Sequence, residues 1–279
     1  MTTSITTKDG QAVQFKALGF PGGERHVELS SNSDHTEFVF ISARLKNSND
    51  LMDLMLVVNA LKHRFGSELA IDLELPYLPY SRQDRVCSEG QAFSLEVMVQ
   101  IIKAMGVRRL ITWDCHSSVG VDLTGAENIS PVDVIRSNQN LVSLLQADET
   151  VLVCPDKGAR NRCKEIKEAI GVPTMVSCTK QRDPDTGKIT RTEVDTESLE
   201  GKTAVITDDI CDGGYTFLKV AEQLKAKGVE KIVLYVTHGI FSKGLEVFDG
   251  LIDQIYTTNS FEHEACEKLI ELNYTYQGE

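Results

Sequence analysis

The chain has 279 residues, 41 % of them hydrophobic and 25 % charged, with a formal net charge of −12. That length allows one large domain or two of ordinary size, with a sizeable core. The acidic balance excludes non-specific nucleic-acid binding, so any phosphorylated ligand must be gripped by local cations or a metal. Seven cysteines (Cys87, Cys115, Cys154, Cys163, Cys178, Cys211 and Cys266) form no C-x-x-C pair, and their number is odd. Reduced thiols in a cytoplasmic protein fit this better than zinc or a disulfide framework. The N-terminal MTTSITTKDG lacks the basic-then-apolar order of a signal peptide. The longest apolar stretch, Leu51 to Leu61, is broken by Asp53 and Asn59 and is too short to span a membrane.

In chain order, strand-like and helix-like segments alternate. Glu37 to Ile41 is β-rich, and Leu51, Leu54, Met55, Val58 and Leu61 recur at helical spacing. Leu69 to Leu75 alternates apolar and acidic residues, which predicts a half-buried strand. Phe93 to Met105 reads as a helix, Arg109 to Trp113 as a strand, Thr150 to Val153 as another, and Gly158 to Ile170 as a helix stopped by Gly171 and Pro173. Thr174 to Ser177, Ala204 to Ile206, Lys231 to Val236 and Gln254 to Tyr256 complete the strands. Phe217, Val220, Ala221 and Leu224 mark one more helix face. The polar stretch Thr179 to Thr196 predicts a mobile loop or hairpin. Such alternation implies parallel sheets flanked by helices, and the length favours two α/β halves, residues 1–135 and 136–279.

The polar clusters fall just past predicted strand ends, where open α/β sheets bind ligands. The richest runs from Val205 to Phe217. Asp208 and Asp209 follow the strand, then Asp212, Gly213, Gly214 and Tyr215, with Thr216 at a helix start. Glycines let backbone N–H groups cup an anion, and a helix N-terminus adds partial positive charge. Carboxylates repel phosphate but suit sugar hydroxyls or a cation. The pattern therefore fits a phosphorylated sugar; a plain strand–turn–helix connection with solvated acids is the alternative. Tyr80-Ser-Arg-Gln-Asp-Arg85 brings two arginines that could hold phosphates bidentately, or form a solvated loop. Asp114 and His116 suit metal or phosphate contact, or a structural histidine. Lys180 and Arg182 place two cations in the polar stretch. Asp156 and Lys157 meet a glycine turn at a helix start.

Taken together, these motifs resemble the ribose-phosphate pyrophosphokinase family. The family's Asp-Asp-x-x-Asp loop matches Asp208 to Thr216, and its Tyr-x-Arg-Gln-Asp-Arg run matches Tyr80 to Arg85. Its Asp-x-His matches Asp114 and His116, its Ser-Pro-Asp-x-Gly-Gly run matches Cys154 to Ala159 with Arg162 following, and its Lys-x-Arg matches Lys180 and Arg182. Thr237-His238, Ser242-Lys-Gly244 and Thr258-Asn-Ser260 also have counterparts. The resemblance covers about Phe20 to Ser260. It implies two phosphoribosyltransferase-like, Rossmann-like domains with parallel sheets, the closing segment packing back on the N-terminal one. It implies a Mg²⁺-dependent reaction of ATP with ribose 5-phosphate, giving phosphoribosyl diphosphate and AMP. By carry-over, Phe20, Glu24, Arg82, Gln83, Asp84 and His116 bind ATP, and His116 and Asp156 hold Mg²⁺. Lys180 and Arg182 stabilise the diphosphoryl group in transfer. Asp208, Asp209 and Asp212 address ribose hydroxyls, and residues 213–216 cup the 5-phosphate. Phe20 and Glu24 match a segment that reaches adenine from a neighbouring subunit, which implies a homo-oligomer, often a hexamer.

The sequence departs from that pattern in four places. Gly22 replaces an aspartate. Val86-Cys-Ser-Glu-Gly90 replaces a Lys/Arg-rich loop, which leaves Arg85 or Lys157 as the substitute cation. Lys157 and Ala159 replace His and a second Gly. Gly213 stands for a Thr and Tyr215 for a Gly. A less closed cup beside an aromatic ring suits an acceptor extended at its 5′ end, such as ADP-ribose in nicotinamide nucleotide salvage. A phosphoribosyltransferase and a non-catalytic regulatory homologue are further alternatives.

Overall fold

The computed structural model describes residues 2–30, 35–182 and 189–276; the side chains of 180–182 and 189–192 are outside the description. The chain divides into Met1–Ile129 and Ser130–Glu279, earlier than the 135/136 boundary expected from sequence. The reason lies in Pro131–Arg136, a helix of the second unit. Ser130 caps it by accepting from Asp133 N, and Val132 and Ile135 pack into the second unit's core.

The first unit contains β1 (Thr2–Thr7), β2 (Phe15–Gly19), β3 (Arg25–Leu29), β4 (Phe38–Arg44), α1 (Ser48–Phe65), β5 (Ala70–Glu74), α2 (Ser94–Met105), β6 (Arg109–Trp113), α3 (Ser118–Thr124) and β7 (Glu127–Ile129). Its sheet runs β1-β4-β5-β6-β7. β4 to β7 are parallel, and β1 is antiparallel at the edge. Ile41, Leu73 and Leu110 on one sheet face pack with Leu54, Val58 and Leu61 of α1 and Met98 and Ile102 of α2. β2 and β3 form a separate antiparallel ribbon. Arg25 fastens the ribbon to α1 through a two-pronged bond to Asp53, the acid that interrupts the apolar stretch.

The second unit contains α4 (Pro131–Arg136), α5 (Gln139–Gln146), β8 (Thr150–Cys154), α6 (Arg160–Ile170), β9 (Thr174–Arg182), β10 (Ile189–Val194), β11 (Thr203–Cys211), α7 (Tyr215–Ala226), β12 (Lys231–Gly239), a 3₁₀ turn (Glu246–Phe248), β13 (Gln254–Thr258) and β14 (Leu269–Leu272). Its sheet runs β10-β9-β8-β11-β12-β13-β14, parallel except for β10. Alternate residues serve opposite faces. Val151, Val153, Ala204 and Ile206 join the core under α7, whereas Leu152, Val205 and Val233 join α4, α5 and α6. Burial on both faces explains why these strands read as continuous apolar runs.

Several expectations change. The closing segment, expected to pack on the N-terminal half, supplies β14 at the edge of the second sheet. Thr179 to Thr196, expected as a mobile loop or hairpin, falls in the antiparallel pair of β9 and β10, which is the hairpin alternative. β5, expected half-buried, is buried at Asp72 and Glu74 as well. Asp72 receives Arg108 Nε and Nη2, both at 2.8 Å, and Arg109 Nη2 at 2.8 Å. Burial works against its charge, but the two guanidiniums outweigh that and hold Asp72 below the usual carboxylate range.

A carboxylate held low in the folded state adds stability above its unfolded pKa and loses it as pH falls through the folded value. Asp72→Asn is therefore expected to lower Tm near neutral pH, with the gap to wild type closing in acid. Thermal melts across that range check this; a gap that grows toward low pH contradicts it.

Candidate functional site

In the first unit, Arg82, Gln83, Asp84, Arg85 and His116 line one cavity of about 420 Å³, together with Cys87, Gln91, Ala92 and Ser94. The last four were not singled out from sequence, since no local signal separates them from an ordinary loop. Two chain segments build the cavity. One leaves β5, turns at Tyr80 with φ +63°, and carries Arg82 to Arg85. Gln83 is pinned at both ends: its N–H donates to Tyr80 O, and its carbonyl accepts from Leu95 N. The other leaves β6 through Asp114, also left-handed at φ +38°, and carries His116. Cys115 N donates to Asn128 Oδ1, which holds this second turn against β7. α2 starts at the cavity with Ser94 and, like α3, α6 and α7, has no side-chain cap. The two arginines give the cavity an anion-binding character. Arg85 lies 3.7 Å from Asp84 and is 80 % exposed, so its guanidinium can swing toward a ligand. Phe20 and Glu24 do not line this cavity. They sit at the tip of the β2–β3 ribbon, closed by Phe20 N to Glu24 O, with the Phe20 ring exposed. Gly22 has open space where a side chain would stand, so the replaced aspartate is not excluded sterically.

In the second unit, β11 extends through Asp208 and Asp209 to Cys211, and α7 begins at Tyr215, with Gly214 as its left-handed N-cap. Arg162 of α6 reaches both acids, with Nη1 3.5 Å from Asp208 Oδ1 and 3.6 Å from Asp209 Oδ1. Asp209 N also donates to Asp208 Oδ1. Burial, then the adjacent Asp209 carboxylate, pushes Asp208 well above the usual range; Arg162 opposes this and Asp156 adds to it. Arg162 thus braces the acid pair, a role that no spacing in the sequence discloses. At the end of β8, Asp156 Oδ1 accepts from Ala159 N, which fixes the carboxylate at the start of α6. Cys154 Sγ donates to Asp156 O, and a bond with Cys163 lowers the Cys154 thiol to about 7. Lys180 and Arg182 lie on β9, paired with Thr192 and Ile189, but their side chains are outside the described part.

The glycine loop is held from below. Ile240 and Phe241 N–H both donate to Cys211 O, and Ser242 N donates to Asp212 O. Phe248 fills the space beside Gly214, where a Cβ would meet Cζ at 2.7 Å and φ is +78°. Gly213 differs: a Cβ there meets nothing closer than Lys243 Cγ at 3.6 Å. Tyr215 is 56 % exposed, with Lys219 Nζ 6.0 Å from its ring centroid. The two remaining matched segments do structural work. His238 Nδ1 contacts Ser260 Oγ at 2.9 Å, and Thr258 Oγ1 donates to Thr237 O, which ties β12 to β13.

Among the described residues, no three His, Cys, Asp or Glu side chains gather as a metal cluster. The Asp156 carboxylate is an oxygen donor of the kind a hard cation such as Mg²⁺ takes alongside phosphate oxygens and water, and His116 offers an imidazole nitrogen at the first unit's cavity.

The two glycines are expected to respond differently. Gly214→Ala adds strain and a clash with Phe248, and is expected to cost about 1–3 kcal/mol of stability. Gly213→Ala is expected to stay near wild type. Chemical denaturation of both variants checks this, and equal loss in the two would refute the account of the loop.

Residues 6–106 match the family model for the N-terminal domain of ribose phosphate pyrophosphokinase, and residues 131–261 match that for the phosphoribosyl transferase domain. A ribose-phosphate pyrophosphokinase of Mycoplasmopsis pulmonis is 32 % identical over 256 residues, covering 89 % of this chain and 77 % of that protein. One from Pyrococcus furiosus is 29 % identical over 245 residues, covering 86 % and 84 %. The crystal structure of phosphoribosylpyrophosphate synthetase from Mycobacterium smegmatis shares the fold, with a TM-score of 0.78 at 20 % identity over 95 % of this chain and 87 % of that one. Both halves are thereby accounted for, and the chain belongs to the ribose-phosphate pyrophosphokinase family, whose members are diphosphotransferases.

Proposed function

We propose that the chain transfers the β,γ-diphosphoryl group of ATP to the anomeric hydroxyl of ribose 5-phosphate, giving phosphoribosyl diphosphate and AMP. The observation that carries this is the single cavity in which Arg82, Arg85 and His116 converge beside an uncapped helix start, in a member of this family. The N-terminal half carries the ATP side and the C-terminal half the sugar-phosphate side. The anomeric oxygen attacks the β-phosphorus, the bond from that phosphorus to the α-phosphate bridging oxygen breaks, AMP leaves, and the hydroxyl proton is lost. Positioning and neutralisation of charge do most of this work. Asp208, Asp209 and Asp212 accept from ribose hydroxyls, and the amides of Gly213 to Thr216 face the 5-phosphate. Arg82, Gln83, Asp84 and His116 hold ATP, with Arg85 compensating for the cations absent from residues 86–90. His116 and Asp156 would each offer a donor to Mg²⁺, which would supply neutralisation of phosphate charge. Phe20 and Glu24, at the tip of the ribbon, contact adenine in a neighbouring subunit of a homo-oligomer, a hexamer in this reading. Among the described residues no helix is long and apolar enough to cross a membrane, and all seven cysteines are free, in keeping with a cytoplasmic enzyme.

Mg²⁺-ATP with ribose 5-phosphate is expected to yield AMP, and chelator is expected to abolish it. Lys180→Ala and Arg182→Ala are each expected to lower kcat about a hundredfold while ATP affinity holds. ADP as the product overturns the reaction; a raised KM with unchanged kcat moves the two cations to ground-state binding.

A second reading keeps the chemistry and extends the acceptor at its 5′ end, as in ADP-ribose. It is favoured by the exposed Tyr215 ring and the open space at Gly213. Stacking of a base on Tyr215 contributes about 1–3 kcal/mol. Tyr215→Ala is then expected to reduce turnover of ADP-ribose and leave ribose 5-phosphate unaffected, while Gly213→Thr moves preference toward ribose 5-phosphate. Steady-state rates with both acceptors decide; wild-type preference for ribose 5-phosphate, with no effect of Tyr215→Ala, removes this reading.

A further inference from the structure

The first unit buries an acid that the proposed reaction does not use. Glu74 ends β5 with 3 % exposure. Ser42 of β4, its register partner, donates through Oγ to Glu74 Oε2 at 2.5 Å. Trp113 of β6 donates through Nε1 to Oε1 at 3.1 Å. Arg44 Nη1 donates to Ser42 Oγ at 2.9 Å, and its guanidinium lies 5.9 Å from the centroid of the Trp113 ring. Burial pushes the Glu74 carboxyl up, while Arg44 acts in the opposite sense. A buried polar network of this kind is costly unless its members satisfy one another, and here each carboxyl oxygen has its own donor.

The network sits where both walls of the cavity begin. From Glu74 the chain passes through Leu75 to Ser81 and delivers Arg82 to Arg85. From Trp113 it passes through Asp114 and Cys115 and delivers His116. The backbone joins the same two points: Trp113 N donates to Pro76 O, and Leu75 N donates to Ile111 O. Thr112 Oγ1 also donates to Pro76 O. Each wall then makes a left-handed turn at a non-glycine residue, Tyr80 in one and Asp114 in the other. Such conformations persist only where the surroundings over-determine them.

We propose that Glu74 is a positioning residue that clamps the indole of Trp113 across β5 and β6, and so sets the spacing between the Arg82–Arg85 wall and His116. The inference rests on reading that cavity as the ATP site. Leu75, Pro76 and Thr112 contribute through the backbone or through one hydroxyl. The Glu74–Trp113 bond links the two strands through side chains at the last residue of each.

Trp113 is the only tryptophan of the chain, so its fluorescence reports on the clamp directly. Glu74→Gln retains an acceptor for the indole N–H, and Glu74→Leu removes it. In the full-length protein, Glu74→Leu is expected to shift Trp113 emission to the blue and to speed amide exchange in residues 75–92 and 114–118 together. It is also expected to weaken Mg²⁺-ATP binding about tenfold, the loss that goes with one buried hydrogen bond. Exchange in the second unit and KM for the sugar acceptor stay at the wild-type level, and Glu74→Gln restores ATP affinity and exchange. A purely structural role would instead raise exchange throughout β4, β5 and β6. If Glu74→Leu does not fold, Ser42→Ala and Trp113→Phe, each removing one donor, are read by the same exchange measurement. Unchanged exchange in both walls, or unchanged ATP affinity in a folded variant, overturns the clamp. A wild type that binds no Mg²⁺-ATP overturns the nucleotide reading instead, and the exchange data then decide the clamp without it.

Discussion

Parallel strand pairing is the constraint on which everything else in this protein depends. In a parallel sheet with both faces covered, strands are mostly apolar, any buried polar side chain needs its own partner, and backbone groups pair with neighbouring strands. β8, β11 and β12 satisfy this with Val, Leu, Ile and Ala on alternating faces. Polar chemistry is thereby pushed to the strand ends, where the ladder stops. Within each unit, all successive parallel strands end on the same side, so residues far apart in sequence come together there. Arg82 and His116 share one cavity because β5 and β6 are neighbours. Asp208 and Arg162 meet because β11 pairs with β8, and α6 follows β8.

Local pairing also offsets part of the acidity of a chain with net charge −12. Several of its buried acids are paired with arginines. Asp72 is taken up by Arg108 and Arg109, Asp53 by Arg25, and Asp208 with Asp209 by Arg162. Glu74 is handled differently, through neutral donors and burial. Arg82 and Arg85 line the cavity with Asp84 as the single carboxylate among them. Repulsion of a phosphorylated ligand is therefore reduced at close range, where screening by salt is least effective.

Left-handed turns recur at the sites for a related reason. A strand end that must reverse within one or two residues to present a side chain has few backbone options. Gly214 makes such a turn without a Cβ penalty, and Phe248 uses the space thus released. Tyr80 and Asp114 make theirs with side chains, and neighbouring backbone bonds such as Asp114 N to Ile129 O hold them there.

Much of this was legible in the sequence. The α/β class followed from alternating apolar periods, since hydrophobic pattern and secondary structure share a physical cause in burial. Arg82 to Arg85, His116, Asp156 and Asp208 to Thr216 stood out because each follows a strand, and chemistry at strand ends is local in sequence. Other features were decided only by tertiary structure. The β2–β3 ribbon and β14 carry weak patterns because edge and accessory strands need not be apolar. Cys87, Gln91 and Ser94 join the cavity only through the path of the loop. Most clearly, Asp72 and Glu74 alternate with apolar neighbours as solvent-facing residues would. Alternation shows which residues share a face, but not whether that face meets water. Whether Arg108, Arg109, Ser42 and Trp113 stand ready to receive the two acids depends on the register of adjacent strands, which no local stretch of sequence encodes.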